Sequence, residues 1–229
     1  MRIAGLQKMT LLDFPGLIAC TVFLPGCNLR CPFCHNASLV LRPGEQPSID
    51  REELLAFLQS RKGRLDGVCI TGGEPTLQKD LKDLICAIKA MGFQVKLDTN
   101  GSDPEQLGAL LKEGLLDYVA MDIKNSPNRY GQTCGGVDIL PQVKLSAKLL
   151  MESGVPYEFR TTVCHPLHDE ASIRAIGQWL AGARQYFLQG FVDSGDLIGQ
   201  GLQPLTSQQM DTLRQAALPY IPNTHIRGI

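Results

Sequence analysis

Cys27-Asn28-Leu29-Arg30-Cys31-Pro32-Phe33-Cys34 places three thiols within eight residues, in the spacing C-x3-C-x2-C. Two cysteines two residues apart are half of a structural zinc site, which needs a second pair of ligands further along the chain. No such pair follows: Cys69, Cys86, Cys134 and Cys164 are isolated, and His165 and His168 stand without a partner pair. Three thiolates on one tight loop instead suit three corners of a cubane 4Fe–4S cluster. The remaining iron then has no protein ligand, and an open coordination position is where metal chemistry happens.

The loop follows the first of six short apolar runs, at residues 18–23, 67–71, 93–98, 118–122, 157–163 and 186–191. Near-continuous apolar character indicates strands covered on both faces, as in a parallel sheet. Helical patterns separate them. Asp50 can cap the first, with Glu53 three residues on and Leu54, Leu55 and Leu58 on its apolar face. Residues 77–91 form a second, with Leu81, Leu84, Ile85 and Ile88 at helical spacing and Gly92 ending it. Asp103-Pro104 opens a third around Leu107, Leu110 and Leu111, and residues 137–153, 169–181 and 206–218 complete the set. Six βα units predict a parallel sheet with right-handed crossovers, short of the eight units that close a full barrel. No linker, repeat or low-complexity stretch interrupts residues 1–229, so one domain is expected.

In a βα array functional groups gather where strands end, and the polar motifs fall there. The second strand runs into Thr71-Gly72-Gly73-Glu74-Pro75, whose glycines permit close approach of a ligand to backbone; a plain tight turn is the alternative. The third strand ends in Asp98-Thr99-Asn100-Gly101 and the fourth in Met121-Asp122-Ile123-Lys124. Each Asp can cap the following helix, or the two can share a polar pocket, where they repel unless a cation lies between them. Arg160, inside the fifth strand, requires a partner, and a carboxylate of the sheet is the plain structural one. Cys20, Cys69 and Cys86 read as buried small apolar residues. Cys134, in Thr133-Cys134-Gly135-Gly136, reads as a loop residue with no assigned role.

The cysteine loop resembles that of radical S-adenosylmethionine (SAM) enzymes. The longer run Leu24-Pro25-Gly26-Cys27 through Cys34-His35-Asn36 is similar to the activating enzymes of glycyl radical enzymes. Gly5-Leu6-Gln7-Lys8 and Leu11-Leu12-Asp13-Phe14-Pro15-Gly16 resemble, within that group, the anaerobic ribonucleoside-triphosphate reductase activating proteins. The resemblance implies an open partial (β/α)6 barrel, α/β in class. It implies a 4Fe–4S cluster on Cys27, Cys31 and Cys34, which reductively cleaves SAM to methionine and a 5′-deoxyadenosyl radical. That radical takes hydrogen from a glycine of a partner enzyme, here anaerobic ribonucleotide reductase, with a flavodoxin- or ferredoxin-type protein as electron donor. Phe33 and His35 then shape backbone over the cofactor, and Gly72, Gly73 and Glu74 lie along the SAM amino group. Asp98, Thr99 and Asp122 line SAM and a monovalent cation, Lys124 reaches the cofactor, and Arg160 contacts its carboxylate or ribose. A histidine found on the last strand of some relatives is missing from Leu188-Gln189-Gly190-Phe191, where Gln189 is the substitute.

Bulk properties agree. Hydrophobic residues make up 44% of 229, enough for a sizeable core. Lys+Arg 22 against Asp+Glu 23 gives a net charge of −1, which offers no support for nucleic-acid or membrane-surface binding. The amino-terminal residues lack a signal-peptide core, so a cytoplasmic, reducing location is expected for the eight cysteines. Two other readings stand beside this one: a radical SAM enzyme acting on a small molecule, such as 7-carboxy-7-deazaguanine synthase, and an electron carrier or zinc module. An electron carrier normally saturates its cluster with four protein ligands and has no use for the glycine turn. Anaerobic reconstitution is expected to load about four irons per chain. Replacing Cys27, Cys31 or Cys34 with Ala abolishes the cluster absorbance, whereas the same change at Cys20, Cys69, Cys86, Cys134 or Cys164 retains it.

Overall fold

The structure is a computed structural model that describes residues 1–228. Its elements run β1 (Arg2–Ile3), β2 (Gly5–Thr10), β3 (Ala19–Leu24), α1 (Ala37–Leu41), β4 (Ile49–Asp50), α2 (Arg51–Ser60), β5 (Gly67–Gly72), α3 (Leu81–Ala90), β6 (Gln94–Thr99), α4 (Pro104–Lys112), β7 (Tyr118–Asp122), α5 (Tyr130–Thr133), α6 (Leu140–Glu152), β8 (Tyr157–Val163), α7 (Glu170–Trp179), β9 (Tyr186–Gly190), α8 (Ser207–Ala217) and β10 (Thr224–Arg227). An eight-stranded sheet has the order β10-β9-β8-β7-β6-β5-β3-β2. Neighbours pair in parallel except β2, which pairs antiparallel to β3. The helices α2, α3, α4, α6, α7 and α8 each join one parallel strand to the next. This is the open, partial barrel expected from six βα units.

All six expected strands form, with ends shifted by at most one residue. Two strands of the main sheet escaped the sequence reading: β2 and β10 occupy its edges. The expected helix over 77–91 is shorter. A single 3-10 turn, Pro75–Leu77, is followed by extended Gln78, and α3 begins only at Leu81. Gln78 Nε2 donates to the Pro25 carbonyl at 2.9 Å, so the interruption ties this segment to the chain entering the cysteine loop. Asp50 caps α2 as expected, its carboxylate accepting from the Glu53 amide at 2.8 Å.

The two sheet faces differ in chemistry. Val95, Leu97, Val119, Met121 and Phe159 enter the hydrophobic core together with Leu84, Ile85 and Ile88 of α3. The alternate residues Lys96, Asp98, Asp122, Glu158 and Arg160 share the opposite face, because side chains alternate along a strand and parallel neighbours stay in register. The inner wall of the partial barrel is thus charged on β6, β7 and β8. Cys20 and Cys69 are buried, but Cys86 is exposed, contrary to expectation: it lies off the stripe formed by Leu81, Leu84, Ile85 and Ile88. No helix among the described residues is long and apolar enough to cross a membrane.

Candidate active site at the strand ends

The carboxyl ends of β3, β5, β6, β7, β8 and β9 surround one cavity of about 220 Å³. Its lining includes all thirteen residues picked out above: Cys27, Cys31, Cys34, Phe33, His35, Gly72, Gly73, Glu74, Asp98, Thr99, Asp122, Lys124 and Arg160. Asn100, Thr162 and Gln189 join them.

The cysteine loop is fixed from several directions. Gly26 N donates to the Leu39 carbonyl at 2.9 Å, and Gly199 N donates to the Pro32 carbonyl at 2.8 Å. Arg30 Nη1 reaches the carbonyls of Cys27 and Leu29, each at 2.8 Å, and Cys34 N closes a turn onto the Cys31 carbonyl at 3.1 Å. Cys27 Sγ accepts from Leu29 N at 3.4 Å and from Asn100 Nδ2 at 3.8 Å. Donors of this kind tune an iron–sulfur site when they face a ligating sulfur. Burial pushes the Cys27 thiol up to about 11 and also raises Cys34. Cys31 is held down to about 7, chiefly by a hydrogen bond with the Cys134 thiol, against its burial. Cys134 therefore has a place that its loop sequence did not reveal. It is buried at the end of α5 against Cys31, and its carbonyl accepts from Arg30 N at 3.2 Å.

The Thr71–Pro75 turn meets the cysteine loop backbone to backbone. A Cβ at Gly73 would lie 1.8 Å from the Gly26 carbonyl oxygen, and one at Gly72 would lie 2.3 Å from that of Leu24. Gly72 also has φ +122°, a region that favours glycine. The protein's own chain makes a close approach at both glycines, as a tight strand-end turn requires, and the turn also lines the cavity. Gly73 N and Glu74 N donate to the Leu24 and Gly26 carbonyls at 2.8 Å, and Asn36 Nδ2 donates to the Gly72 carbonyl at 3.0 Å. The Glu74 carboxylate turns inward. It accepts from Thr76 N (3.0 Å), Thr76 Oγ1 (2.6 Å), Thr99 Oγ1 (2.8 Å) and Asn100 N (2.6 Å), which joins the ends of β5 and β6. Burial raises its pKa, and these four donors oppose that rise.

Asp98 and Asp122 are bridged by Arg160, whose Nη1 lies 3.0 Å from Asp98 and whose Nε lies 2.9 Å from Asp122. Lys96 pairs with the other Asp98 oxygen, and Lys124 with the other Asp122 oxygen at 3.0 Å. Neither Asp caps a helix; Asp103 does so after β6. Burial would raise both carboxyls, but Arg160 with Lys96 or Lys124 outweighs it, holding Asp98 low and Asp122 at about 2. Lys124 also stands 6.0 Å above the Phe33 ring, at the outer limit of a cation–π contact. His35 is exposed at the cavity rim, stacks at 5.8 Å on Phe191, and has its pKa lowered by partial desolvation. Lys96 is the charged residue that the sequence reading missed; a lysine inside an apolar strand was the available signal.

The donor set fits an iron–sulfur cluster beside a small polar ligand. No three His, Cys, Asp or Glu side chains among the described residues converge as ligands of a single ion do; cysteines on a cubane each hold a different iron and need no such convergence.

The sequence comparisons agree with this geometry. The Radical SAM superfamily model matches residues 21–180, and the chain belongs to that superfamily. Its characteristic cofactors are the 4Fe–4S cluster and SAM that the cavity is suited to hold. A protein of Methanocaldococcus jannaschii, named as a glycyl-radical enzyme activating enzyme, is 32% identical over 99% of this chain and 96% of its own length. A pyruvate formate-lyase-activating enzyme of Clostridium pasteurianum is 36% identical over 54% of this chain and 52% of its own. Partial matches extend to proteins named as GTP 3′,8-cyclases, of which the chain covers less than half the length. Among solved structures, Streptococcus suis SuiB bound to its precursor peptide SuiA superposes with TM-score 0.72 at 16% identity, over 91% of this chain and 48% of SuiB. The chain thus spans about half of that structure, and the likeness is one of fold.

Gly73→Ala is expected to disturb the cysteine loop as well as the cavity. Iron loading should fall well below the wild-type value of about four per chain, and SAM affinity should fall with it. Gly44→Ala, where the added Cβ meets nothing within 4 Å, serves as the control and keeps both. Iron analysis and titration calorimetry on the two proteins check this.

Proposed function

We propose that this enzyme activates a glycyl radical enzyme. The observation that carries the reading is the near full-length likeness to a protein named for that activity, joined to a cavity in which the three cysteines and the strand-end residues meet. The loaded cluster and SAM supply one-electron cleavage and, from it, abstraction of a hydrogen atom. The chain's own residues bind and orient: Cys27, Cys31 and Cys34 hold the cluster, and the Gly72–Glu74 turn lies beside the amino end of SAM. Lys124 and Arg160 attract its carboxylate, with Gln189 and Thr162 as further polar contacts from β9 and β8. Phe33 and His35 limit water at the cluster side.

The partner we propose is anaerobic ribonucleotide reductase, on the strength of the residues 5–16 lead-in, with a flavodoxin- or ferredoxin-type donor in the cytoplasm. The partial likeness to GTP 3′,8-cyclases supports a second reading, action on a small molecule. Mixing the purified reductase with this protein, SAM and reductant under anaerobic conditions decides between them. The proposed function predicts a glycyl radical signal in electron paramagnetic resonance that depends on all components. SAM cleavage that proceeds with a small-molecule substrate and leaves the reductase without a radical supports the second.

A further inference from the structure

Resemblance placed a monovalent cation between Asp98 and Asp122, because two neighbouring carboxylates repel. The cation donors are already present in the chain. One Asp98 oxygen pairs with Lys96, the other with Arg160 Nη1 at 3.0 Å; one Asp122 oxygen pairs with Arg160 Nε at 2.9 Å, the other with Lys124 at 3.0 Å. Every carboxylate oxygen of the pair thus has a cationic partner. Three positive groups against two negative ones leave a net +1, and a metal cation placed there would meet that excess.

Lys96 is the residue that sets this balance. It is buried, with 2% of its side chain exposed, and lies two residues before Asp98 on the same face of β6. Among the described residues its only other polar contact is Cys69 Sγ at 3.7 Å, which in turn faces Asp98 at 3.7 Å. Without Lys96, Asp98 and Asp122 would share Arg160 and Lys124 alone, a sum of zero, and Asp98 Oδ1 would keep only the weak Cys69 thiol contact and no cationic partner.

We propose that Lys96 and Arg160 form a built-in counter-ion that takes the place of a monovalent metal cation, so that the cofactor end of the cavity works without one. Lys96 is then a positioning residue. It fixes Asp98, which with Asp122 fixes Arg160, and leaves positive charge facing the cavity for an anionic group. The inference rests on the reading of this cavity as the SAM site.

The test is a salt series on the cluster-loaded protein, with SAM affinity measured by equilibrium dialysis in potassium, sodium and tetramethylammonium chloride at one ionic strength. Thallium(I) resonance broadening on the cluster-free protein reports cation binding without reference to SAM. For the wild type the expected results are SAM affinities equal within about twofold across the three salts and no thallium broadening. Lys96→Met should lose affinity in tetramethylammonium and regain roughly tenfold in potassium or sodium, with thallium broadening appearing. Lys96→Arg, which restores the charge, should return to the wild-type pattern. Wild-type affinity that rises about tenfold with potassium or sodium, or thallium broadening in the wild type, overturns the proposal. So does a folded Lys96→Met protein with no cation response. If the variants fail to fold, the wild-type salt series and thallium measurement still decide. Failure to bind SAM in any salt contradicts the SAM reading itself, and is thereby distinct from failure of the counter-ion proposal.

Discussion

The site depends on the contact between two backbones where β3 and β5 end. The strands pair in parallel with Leu24 opposite Gly72. From there both chains turn into the cavity, one to become the cysteine loop and the other the Gly72–Glu74 turn. They stay in contact past the end of the ladder because Gly73 has no side chain: the Gly26 carbonyl occupies the space a Cβ would take. Amides of Gly73 and Glu74 then close onto the carbonyls of Leu24 and Gly26. A loop with three thiols is floppy by itself, and a cubane demands that they be held together. The fold meets that demand by locking the entry of the loop to the neighbouring strand. The same contact fixes the cysteine loop relative to the turn beside it.

The second constraint is electrostatic. Burying Asp98, Asp122, Arg160, Lys96 and Lys124 on one sheet face is costly unless each finds a partner, and the period of two along β6, β7 and β8 delivers those partners in register. Asp122 is opposite Arg160 in the ladder, so the central ion pair is a direct consequence of strand pairing. Glu74 handles the neighbouring strand end differently. Its buried carboxylate receives two backbone amides and two hydroxyls and so couples the glycine turn to the start of the Asn100 loop. Asn100 in turn reaches Asn28 at 3.0 Å and Cys27. Cysteine loop, glycine turn and β6 end are one hydrogen-bonded unit.

The six inner strands were legible because a strand buried on both faces is a compact apolar run bounded by turn residues. The edges were not. In β2 three consecutive residues, Gln7, Lys8 and Met9, are exposed, so neither alternation nor continuity marks it. The short β10 carries His225 and Arg227 and is defined only by pairing with β9. The site residues were legible through a family pattern and through their position at strand ends. What they touch was not: the sequence shows two glycines, but only the fold shows the Gly26 carbonyl against them. Arg160 left two partners open in the sequence; the structure pairs it with the sheet carboxylates Asp98 and Asp122, on the wall of the cavity where the second partner would bind. Cys86 was misread although the stripe of Leu81, Leu84, Ile85 and Ile88 already excluded it, and Cys134 needed the long-range packing of α5 on the cysteine loop to acquire a role.

In the function proposed for this protein, the cysteine loop leaves one iron open toward the cavity formed with the glycine turn. Mössbauer spectroscopy of the reconstituted protein, enriched in the active isotope and recorded with and without SAM, tests it directly. The account predicts that SAM alters the signal of a single iron out of about four and leaves the others unchanged. A spectrum unaffected by saturating SAM, or altered equally at every iron, would contradict it.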